Sequence, residues 1–376
     1  GIIRLEHERQ ALDKLWLSNI MAGFRMLEAL DWAGHYDQLC RAEKLLRLDP
    51  AGLYPKMDEE SRGLIREEVA ALSRATGQSE LTVARRAVDE AAGLEGAQGS
   101  VCWWLYDDDG RQALSRALGQ PHAKPRRLIP DPTGNLLTAA LCAGTFVLLI
   151  LLTTFLGNPL WIFPALPLAW RFAEAIAGYA GARGLPPRRL LRLDMTHVPD
   201  EARTLVCVPA LLSGESRAKS LAEGFEALGA LSADPNVEYL LLCDYSDSPD
   251  RERPGEDALV AFLRHQVAGM NARAGFEKYH YLQRERRYAQ ADQLWRGHER
   301  KRGAVLALNA LLLTGDEAQF TPERASAQHL YERDFRFVLT LDADTRALPD
   351  AVQKLIGAIA HPLNRPRIED GERKGY

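Results

Sequence analysis

From about residue 200 onward, short apolar runs alternate with amphipathic stretches whose apolar positions recur at helical spacing. The predicted strands are 204–209, 237–243, 279–282 and 335–341. The predicted helices are 216–231, 257–274, 304–313 and 351–360. Strands that alternate with helices in this way indicate a parallel sheet covered by helices on both faces.

Residues 1–130 have a different pattern, which predicts a helical cytoplasmic region. In the first helix, apolar residues recur at spacings of four, four and three, as a buried face requires; they are Trp16, Ile20, Phe24 and Leu27. Two more helices are predicted to begin at Asp58 and after Ser79, which is placed to cap the second of them. The aromatic run 101–106 predicts a short strand with a turn, or a segment at a membrane interface.

The most apolar part of the chain, residues 131–184, predicts a transmembrane hairpin. Residues 136–156 carry no charge over 21 positions, and at about 1.5 Å per residue they just span a hydrocarbon core. A second, weaker limb at about 160–182 contains Arg171 and Glu174, which can pair on one helix face. Basic residues flank both limbs, so the positive-inside rule places both ends in the cytoplasm. A buried soluble hairpin, or an interfacial helix for the second limb, is the alternative.

Composition narrows the class of protein. With 376 residues, 46% hydrophobic and 26% charged, the chain is globular and long enough for two or three domains. The net charge of −4 gives no basic field for a nucleic-acid partner. The five cysteines are far apart, so the sequence predicts neither a zinc site nor a disulfide framework. Because a helical pattern is already under way at Gly1 and the last α/β unit is not closed at Tyr376, we expect a piece of a longer polypeptide.

The candidate chemistry begins where an apolar strand runs into Asp342 and Asp344. Carboxylates at the carboxyl edge of a parallel sheet lie where open α/β folds bind ligands. Their hard oxygen atoms suit Mg²⁺ or Mn²⁺, and such an ion in turn binds a diphosphate. Taken alone, however, an Asp-x-Asp sequence also occurs in surface turns and helix caps.

Two further segments strengthen this interpretation. Asp244 ends the second strand, so it should share an edge with Asp342, and Lys301 and Arg302 precede Gly303 at a helix start that can receive a diphosphate. Each has a simpler explanation, because Asp244 could be a turn residue and the basic run a solvated cluster. Their order along the chain nevertheless predicts a nucleotide-sugar site.

These segments, together with Pro209 and Glu215, resemble the GT-A glycosyltransferases of the processive polysaccharide synthase type. Over nearly its whole length the chain looks like the cyclic β-1,2-glucan synthases, glycosyltransferase family 84. The matching runs are 54–58, 80–87, 186–189, Trp295 with 299–303, 340–345 and 357–364. The resemblance implies an incomplete, Rossmann-like α/β GT-A domain over 200–376, preceded by the transmembrane hairpin and the all-α region. The chain departs from the family at Ala343, where Ser is common, and at Trp103–Trp104, which replace a Gly-Tyr-Tyr type sequence.

The family also implies a function. Its members are multi-pass enzymes of the bacterial inner membrane with a cytoplasmic glycosyltransferase domain, and they use UDP-glucose to build and cyclise β-1,2-glucan. The implied partners are the growing glucan chain, the lipid bilayer, and downstream glycosyltransferase and phosphorylase-like domains of the same polypeptide. Carried over by position, Asp244 contacts uridine, Lys301 or Arg302 the diphosphate, and Asp342 and Asp344 the metal or donor sugar as the catalytic pair.

The acceptor side of such a site is expected beyond Tyr376, because neither the later carboxylate base nor the Arg-Trp acceptor motif occurs in the chain. General-base catalysis contributes roughly 10²–10⁴ in rate, so we expect the chain to bind donor and not to polymerise by itself. Two other functions remain open. One is a lipid-linked sugar transferase of similar fold with a polyprenyl-phosphate acceptor, and the other is a non-catalytic, membrane-anchored scaffold.

Overall fold

The computed structural model describes residues 2–29, 39–119, 135–157, 189–321 and 324–365, with scattered residues between 160 and 179. The chain divides into two compact units. The first comprises Gly1–Pro55 and Arg62–Arg189, and the second comprises Lys56–Ser61 and Leu190–Tyr376. The predicted division at 1–130, 131–184 and 200–376 stays a prediction.

The described part of the first unit is helical. Its helices are α1 (Ile2–Glu28), α2 (Arg41–Leu46), α3 (Glu59–Thr76, which begins in the second unit), α4 (Glu80–Ala91), α5 (Val101–Tyr106), α6 (Asp108–Ala117) and α7 (Asn135–Leu156). The predicted cap of α4 is confirmed, because the Ser79 hydroxyl accepts a hydrogen bond from Thr82 N at 3.1 Å.

Two predictions about this unit were wrong. The apolar stripe of α1 is not buried among the described residues, since Trp16 is 67% and Phe24 64% exposed; periodicity reports an apolar face but not whether anything covers it. Residues 101–106 form helix α5 instead of a strand. Its first turn is fixed by Asp49, whose carboxylate accepts hydrogen bonds from Val101 N at 2.8 Å and from the Ser100 hydroxyl at 3.1 Å.

The predicted transmembrane hairpin is not supported by the structure. Helix α7 covers its first limb, but the side chains of 135–139, 141 and 156 lie outside the described residues, as does much of the second limb. Within the part of the chain that the structure describes, no helix has both the length and the apolar character needed to cross a membrane.

The second unit is built on a four-stranded parallel sheet, which confirms the α/β prediction and is compatible with a Rossmann-like domain. The strands are β1 (Thr204–Leu212), β2 (Val237–Tyr245), β3 (Tyr279–Arg284) and β6 (Phe337–Thr340), in the order β3-β2-β1-β6. A separate antiparallel hairpin consists of β4 (Arg287–Ala289) and β5 (Leu294–Arg296). The helices are α8 (Glu215–Gly229), α9 (Glu256–Ala274), α10 (Arg300–Thr314), α11 (Arg324–Glu332) and α12 (Ala351–Ala360).

Helices cover both faces of this sheet, and the strand residues divide between them in alternation. Val206 and Leu241 belong to the core that includes buried residues of α8, α9 and α12. Leu205 and Leu240 belong to the core that includes buried residues of α10 and α11. Parallel strands buried on both faces read as continuous apolar runs, which is why the sequence pattern identified them.

Candidate functional site

The carboxyl ends of the strands bring the predicted polar residues to one edge of the sheet. Leu211 of β1 lies beside Asp244 of β2. Strand β6 pairs with β1 as far as Thr340, and Asp342 follows two residues later. The edge at which open α/β sheets bind ligands therefore contains Asp244, Asp342 and the carboxyl-terminal part of β1, which includes Pro209.

A cavity of about 440 Å³ opens at this edge, a size typical of small-molecule sites. Its wall combines apolar strand residues with a few charged groups. The lining residues are Pro209, Ala210, Leu211, Leu242, Asp244, Tyr245, Asp247, Gly297, Arg300, Lys301 and Ala304. Three of the residues singled out from the sequence, Pro209, Asp244 and Lys301, are among them.

Asp244 is held at the back of this wall by a buried arginine. Arg284 Nε donates to Asp244 Oδ1 at 2.6 Å, and Arg284 Nη2 donates to Oδ2 at 2.8 Å. Burial raises the pKa of the Asp244 carboxyl above its ordinary value, the Arg284 hydrogen bonds oppose this shift, and Asp247 adds to it. Both carboxylate oxygens keep a free lone pair, so Asp244 can still accept a hydrogen bond from a ligand in the cavity.

Two glycines allow the backbone to approach this ion pair closely. A Cβ on Gly297 would lie 2.7 Å from Asp244 Cγ and 2.8 Å from Arg284 Nη2. A Cβ on Gly303 would lie 2.8 Å from Arg284 Nη1 and 1.9 Å from the His298 carbonyl oxygen. The pair is thus enclosed by the segment that connects β5 to α10 and by the first turn of α10, and neither glycine position has room for a side chain.

At the mouth of the site, Lys301 Nζ donates to Asp342 Oδ1 at 2.6 Å, and both side chains are exposed. The structure therefore brings the candidate phosphate-binding cation and the first residue of the Asp-x-Asp sequence into direct contact. Asp344 is also exposed. This end of the site is open to solvent, unlike the buried Asp244 end.

Helix α10 begins with three consecutive cations, Arg300, Lys301 and Arg302. Positive charge is unfavourable at a helix amino terminus, where the macrodipole is itself positive. A bound anion reverses that balance, because it meets both the helix terminus and the side-chain cations. The first turn of α10 is therefore arranged to receive a negatively charged group.

Four of the predicted site residues are not among those that line the cavity, namely Asp342, Asp344, Arg302 and Glu215. Arg302 is 79% exposed and lies 3.6 Å from Glu299, whereas Arg300, which does line the cavity, donates to Asp247 Oδ2 at 3.0 Å. Glu215 is exposed at the start of α8 and accepts a hydrogen bond from Lys219 at 2.8 Å, which lowers the pKa of its carboxyl. The assignment of Arg302 and Glu215 to the donor site stays a prediction.

The Asp342 and Asp344 pair fits a divalent cation by its chemistry. Mg²⁺ is commonly bound through one or two carboxylates together with substrate phosphates, without a complete protein cage. Asp342 provides a carboxylate in contact with the cationic start of α10, and Asp344, two residues later, provides a second exposed carboxylate. Among the described residues, the group of three His, Cys, Asp or Glu side chains whose ligand atoms converge lies elsewhere, at Glu238, His280 and His329.

Sequence reasoning missed the arginines of strand β3 and its exit. Arg284 holds Asp244, while Arg286 donates to both oxygens of Glu256 and to the Ser246 carbonyl, and its guanidinium lies 4.8 Å from the Tyr245 ring centre. Arg286 thereby fixes the loop that follows β2. A usable signal was present, because Arg284 is the last residue of β3 and pairs with Asp244 in the sheet, and Arg286 follows two residues later.

The chain was also compared with known proteins. No family model matches it. It is 28% identical to cyclic beta-(1,2)-glucan synthase NdvB of Rhizobium meliloti (strain 1021) over 388 residues, an alignment that covers 96% of this chain and 13% of that protein. This similarity confirms the resemblance predicted from the motifs, and the chain spans about an eighth of that relative's length.

Proposed function

We propose that this chain is the donor-binding part of a membrane-bound β-1,2-glucosyltransferase that uses UDP-glucose to make cyclic β-1,2-glucan. The observation that carries the proposal is the cavity whose wall contains Asp244, Lys301 and Pro209, with Asp342 in contact with Lys301 at its mouth. The similarity to a glucan synthase along 96% of the chain supports a glycosyltransferase role.

The cavity offers a separate chemical group for each part of a nucleotide sugar. Asp244, backed by Arg284, is a buried hydrogen-bond acceptor suited to an N–H group of a nucleobase. Lys301 and Arg300, with the amino end of α10, suit the diphosphate. Asp342, which accepts a hydrogen bond from Lys301, and Asp344 would lie beside the diphosphate, where the donor sugar would extend.

Asp342 and Asp344 would hold a Mg²⁺ or Mn²⁺ ion through their carboxylate oxygens. Such an ion would supply stabilisation of the negative charge that develops on the departing UDP. Lys301, which donates to Asp342, would stabilise the same negative charge through its ammonium group. The activation of the acceptor hydroxyl is not assigned to any residue of this chain.

The decisive experiment is calorimetric titration of the chain with UDP-glucose in the presence of Mn²⁺. We expect Asp344→Ala and Lys301→Ala each to weaken binding about tenfold or more, the equivalent of losing one charge-assisted interaction of about 1.4 kcal/mol. Asp316→Ala, which removes an exposed carboxylate outside the cavity, should leave binding unchanged. If Asp344→Ala and Asp316→Ala bound UDP-glucose with equal affinity, the Asp-x-Asp pair would not belong to the donor site.

The same donor separates the competing functions in membranes that contain the parent protein. Labelled glucose that becomes attached to protein supports the glucan synthase proposal. Label that appears in a lipid extract supports a lipid-linked sugar transferase instead. If the chain has no affinity for UDP, with or without Mn²⁺, the scaffold is the better description.

Membrane attachment is part of the proposal and rests on the sequence alone, namely the 21 uncharged residues at 136–156 and the basic residues that flank the predicted hairpin. Expression of residues 131–184 fused to a soluble reporter should bring the reporter into the membrane fraction and keep it there in alkaline carbonate. Recovery of the fusion protein in the soluble fraction would refute the predicted hairpin.

A further inference from the structure

A second polar cluster lies at the opposite edge of the sheet from the donor cavity. Glu238 is the second residue of β2 and His280 the second residue of β3, whereas Asp244 and Arg284 stand near the carboxyl ends of the same strands. Helix α11 supplies the third member, His329. Glu238 and His280 are buried, and His329 is 27% exposed.

Both histidines direct their Nε2 atoms at the same carboxylate oxygen, Oε2 of Glu238. His280 Nε2 is 2.8 Å and His329 Nε2 is 2.9 Å from Glu238 Oε2, and these ligand atoms all lie within 4.8 Å of one another. The imidazole rings stack with their centres 4.8 Å apart and their planes 24° from parallel. Two imidazole nitrogens and one carboxylate oxygen therefore face one another across a short distance.

The surrounding contacts orient these three groups. Glu277 Oε2 is 3.1 Å from Nδ1 of His329, which leaves Nε2 of that ring for the cluster. Arg333 Nε donates to the other oxygen of Glu238, Oε1, at 2.5 Å. A histidine that binds a metal usually donates its second ring N–H to a carboxylate, as His329 is placed to do with Glu277.

We propose that Glu238, His280 and His329 bind a zinc ion. Two imidazoles and one carboxylate form the ligand set of three-ligand zinc sites, which leave a fourth position for water. A zinc ion bonded tetrahedrally at about 2.1 Å separates its ligand atoms by about 3.4 Å. Each nitrogen would therefore move about half an ångström away from Oε2 of Glu238, and the two nitrogens, which lie within 4.8 Å of each other, would approach each other by up to about 1.4 Å. The partly exposed side at His329 provides access for the fourth ligand.

The ligand types distinguish this ion from the one expected at the donor cavity. Imidazole nitrogen favours zinc and other first-row transition metals, whereas Mg²⁺ prefers an all-oxygen set such as the Asp342 and Asp344 carboxylates. The zinc site would join α11 to strands β2 and β3, at the end of the sheet away from the proposed chemistry. The sequence predicted no zinc site because its cysteines are far apart. Glu238, His280 and His329 come from three elements that are distant in sequence, so they form no short metal-binding motif.

The site is tested on the purified chain after removal of metals with a chelator. We expect it to take up one Zn²⁺ per chain in competition with a chromophoric chelator, and excess Mg²⁺ not to displace the ion. Glu277→Gln, which changes an exposed residue and preserves its shape, should weaken zinc binding about ten- to a hundredfold. His329→Gln should weaken it at least as much.

His265→Gln is the matched control, because this exposed histidine lies on α9 outside the cluster; it should bind zinc as the unaltered chain does. Zinc should also raise the melting temperature of the unaltered chain and not that of His329→Gln. Absence of stoichiometric zinc, or equal affinity in His329→Gln and His265→Gln, overturns the proposal and leaves a hydrogen-bonded cluster. UDP-glucose binding should survive His329→Gln, so the two proposals fail independently.

Discussion

At the scale of single residues, the wall of the cavity around Asp244 depends on an ion pair that almost no water reaches. Arg284 is 2% exposed, and its guanidinium meets both oxygens of Asp244. Removing one partner of such a pair leaves a buried charge without compensation, which is more damaging than removing both. The pair is therefore a buried part of the wall, and the backbone at Gly297 approaches it so closely that an added Cβ would lie 2.7 Å from Asp244 Cγ.

Gly297→Ala should disturb this pair without removing either charge. The new Cβ would lie 2.7 Å from Asp244 Oδ2, so the carboxylate or the backbone has to shift. We expect a loss of about 1–3 kcal/mol in the free energy of unfolding, as is usual for an overpacked site, and weaker UDP binding. Urea unfolding and calorimetry measure the two effects.

Gly224→Ala is the control for this substitution. Gly224 lies inside helix α8, and a Cβ there meets no atom within 4 Å. Alanine in the middle of a helix is favoured over glycine by about 0.5–1 kcal/mol. We expect Gly224→Ala to stabilise the protein and to leave UDP affinity unchanged. If Gly297→Ala likewise lowered neither the free energy of unfolding nor UDP affinity, the close-packed wall would be refuted.

At the scale of secondary-structure elements, the end of helix α12 contains a histidine that the fold keeps uncharged. His361 is fully buried, its Nδ1 accepts a hydrogen bond from Leu363 N at 3.3 Å, and its Nε2 has no hydrogen-bond partner among the described residues. Burial lowers the pKa of His361 from 6.5 to about 4, although Asp58 opposes the shift. Folding is therefore coupled to proton release at this position.

The sign of the resulting pH dependence follows from the lowered pKa. Between about pH 6.5 and pH 4 the unfolded chain binds a proton that the folded chain does not, so stability is complete above pH 6.5 and declines as pH falls. At about 1.4 kcal/mol for each pKa unit, the loss approaches 3 kcal/mol at pH 4. Urea midpoints across this range should fall less steeply in His361→Gln than in His265→Gln, and parallel slopes would contradict the assignment.

The elements themselves were predictable to different degrees. Strands buried on both faces appear as uninterrupted apolar runs, so β1 and β2 were located within a few residues. Helix α5 was mistaken for a strand because its aromatic residues favour strands. Its first turn is set by hydrogen bonds that Ser100 and Val101 donate to Asp49, which lies 51 and 52 residues earlier in the sequence. The β4–β5 hairpin has only three residues in each strand, too few for a periodic signal.

The candidate site was predictable in part for a similar reason. Asp244, Lys301 and Asp342 could be placed because each follows or precedes a recognisable element. The partnership of Asp244 with Arg284, and of Glu238 with two histidines, depends on which strands become neighbours. Sequence order alone does not reveal the order β3-β2-β1-β6.

At the scale of the whole molecule, the α/β unit includes a short segment from far earlier in the chain, Lys56–Ser61. Met57 forms a bridge with Leu193, and Arg192 Nε donates to Asp58 Oδ2 at 2.7 Å. Asp58 Oδ1 also accepts a hydrogen bond from Ser61 N at 2.8 Å, in the manner of a helix cap for α3. One carboxylate thus secures both the start of a helix and the segment that begins the α/β unit.

Asp58→Ala should therefore destabilise the protein by about 1–2 kcal/mol, the range expected for a lost cap with a partly buried ion pair. Asp58→Asn keeps an acceptor for Ser61 N and should recover part of the loss. Glu67→Ala, which removes an exposed carboxylate inside α3, is the control and should change the urea midpoint little. A midpoint in Asp58→Ala equal to that of Glu67→Ala would show that the segment does not depend on Asp58.

The ion pair between Lys301 and Asp342 has a consequence for the order in which ligands enter. An exposed pair of this kind contributes only about 0–1 kcal/mol, so it is easily exchanged. A free cation would compete with Lys301 for Asp342, and a free diphosphate would compete with Asp342 for Lys301, so each alone meets a neutralised site. A metal–diphosphate complex would replace both partners at once, because its cation would bind Asp342 and its diphosphate would bind Lys301. One weak contact would then be replaced by two stronger ones. Because breaking the pair costs at most about 1 kcal/mol, which is about fivefold in affinity, metal and nucleotide together should bind with a positive cooperativity of no more than that size.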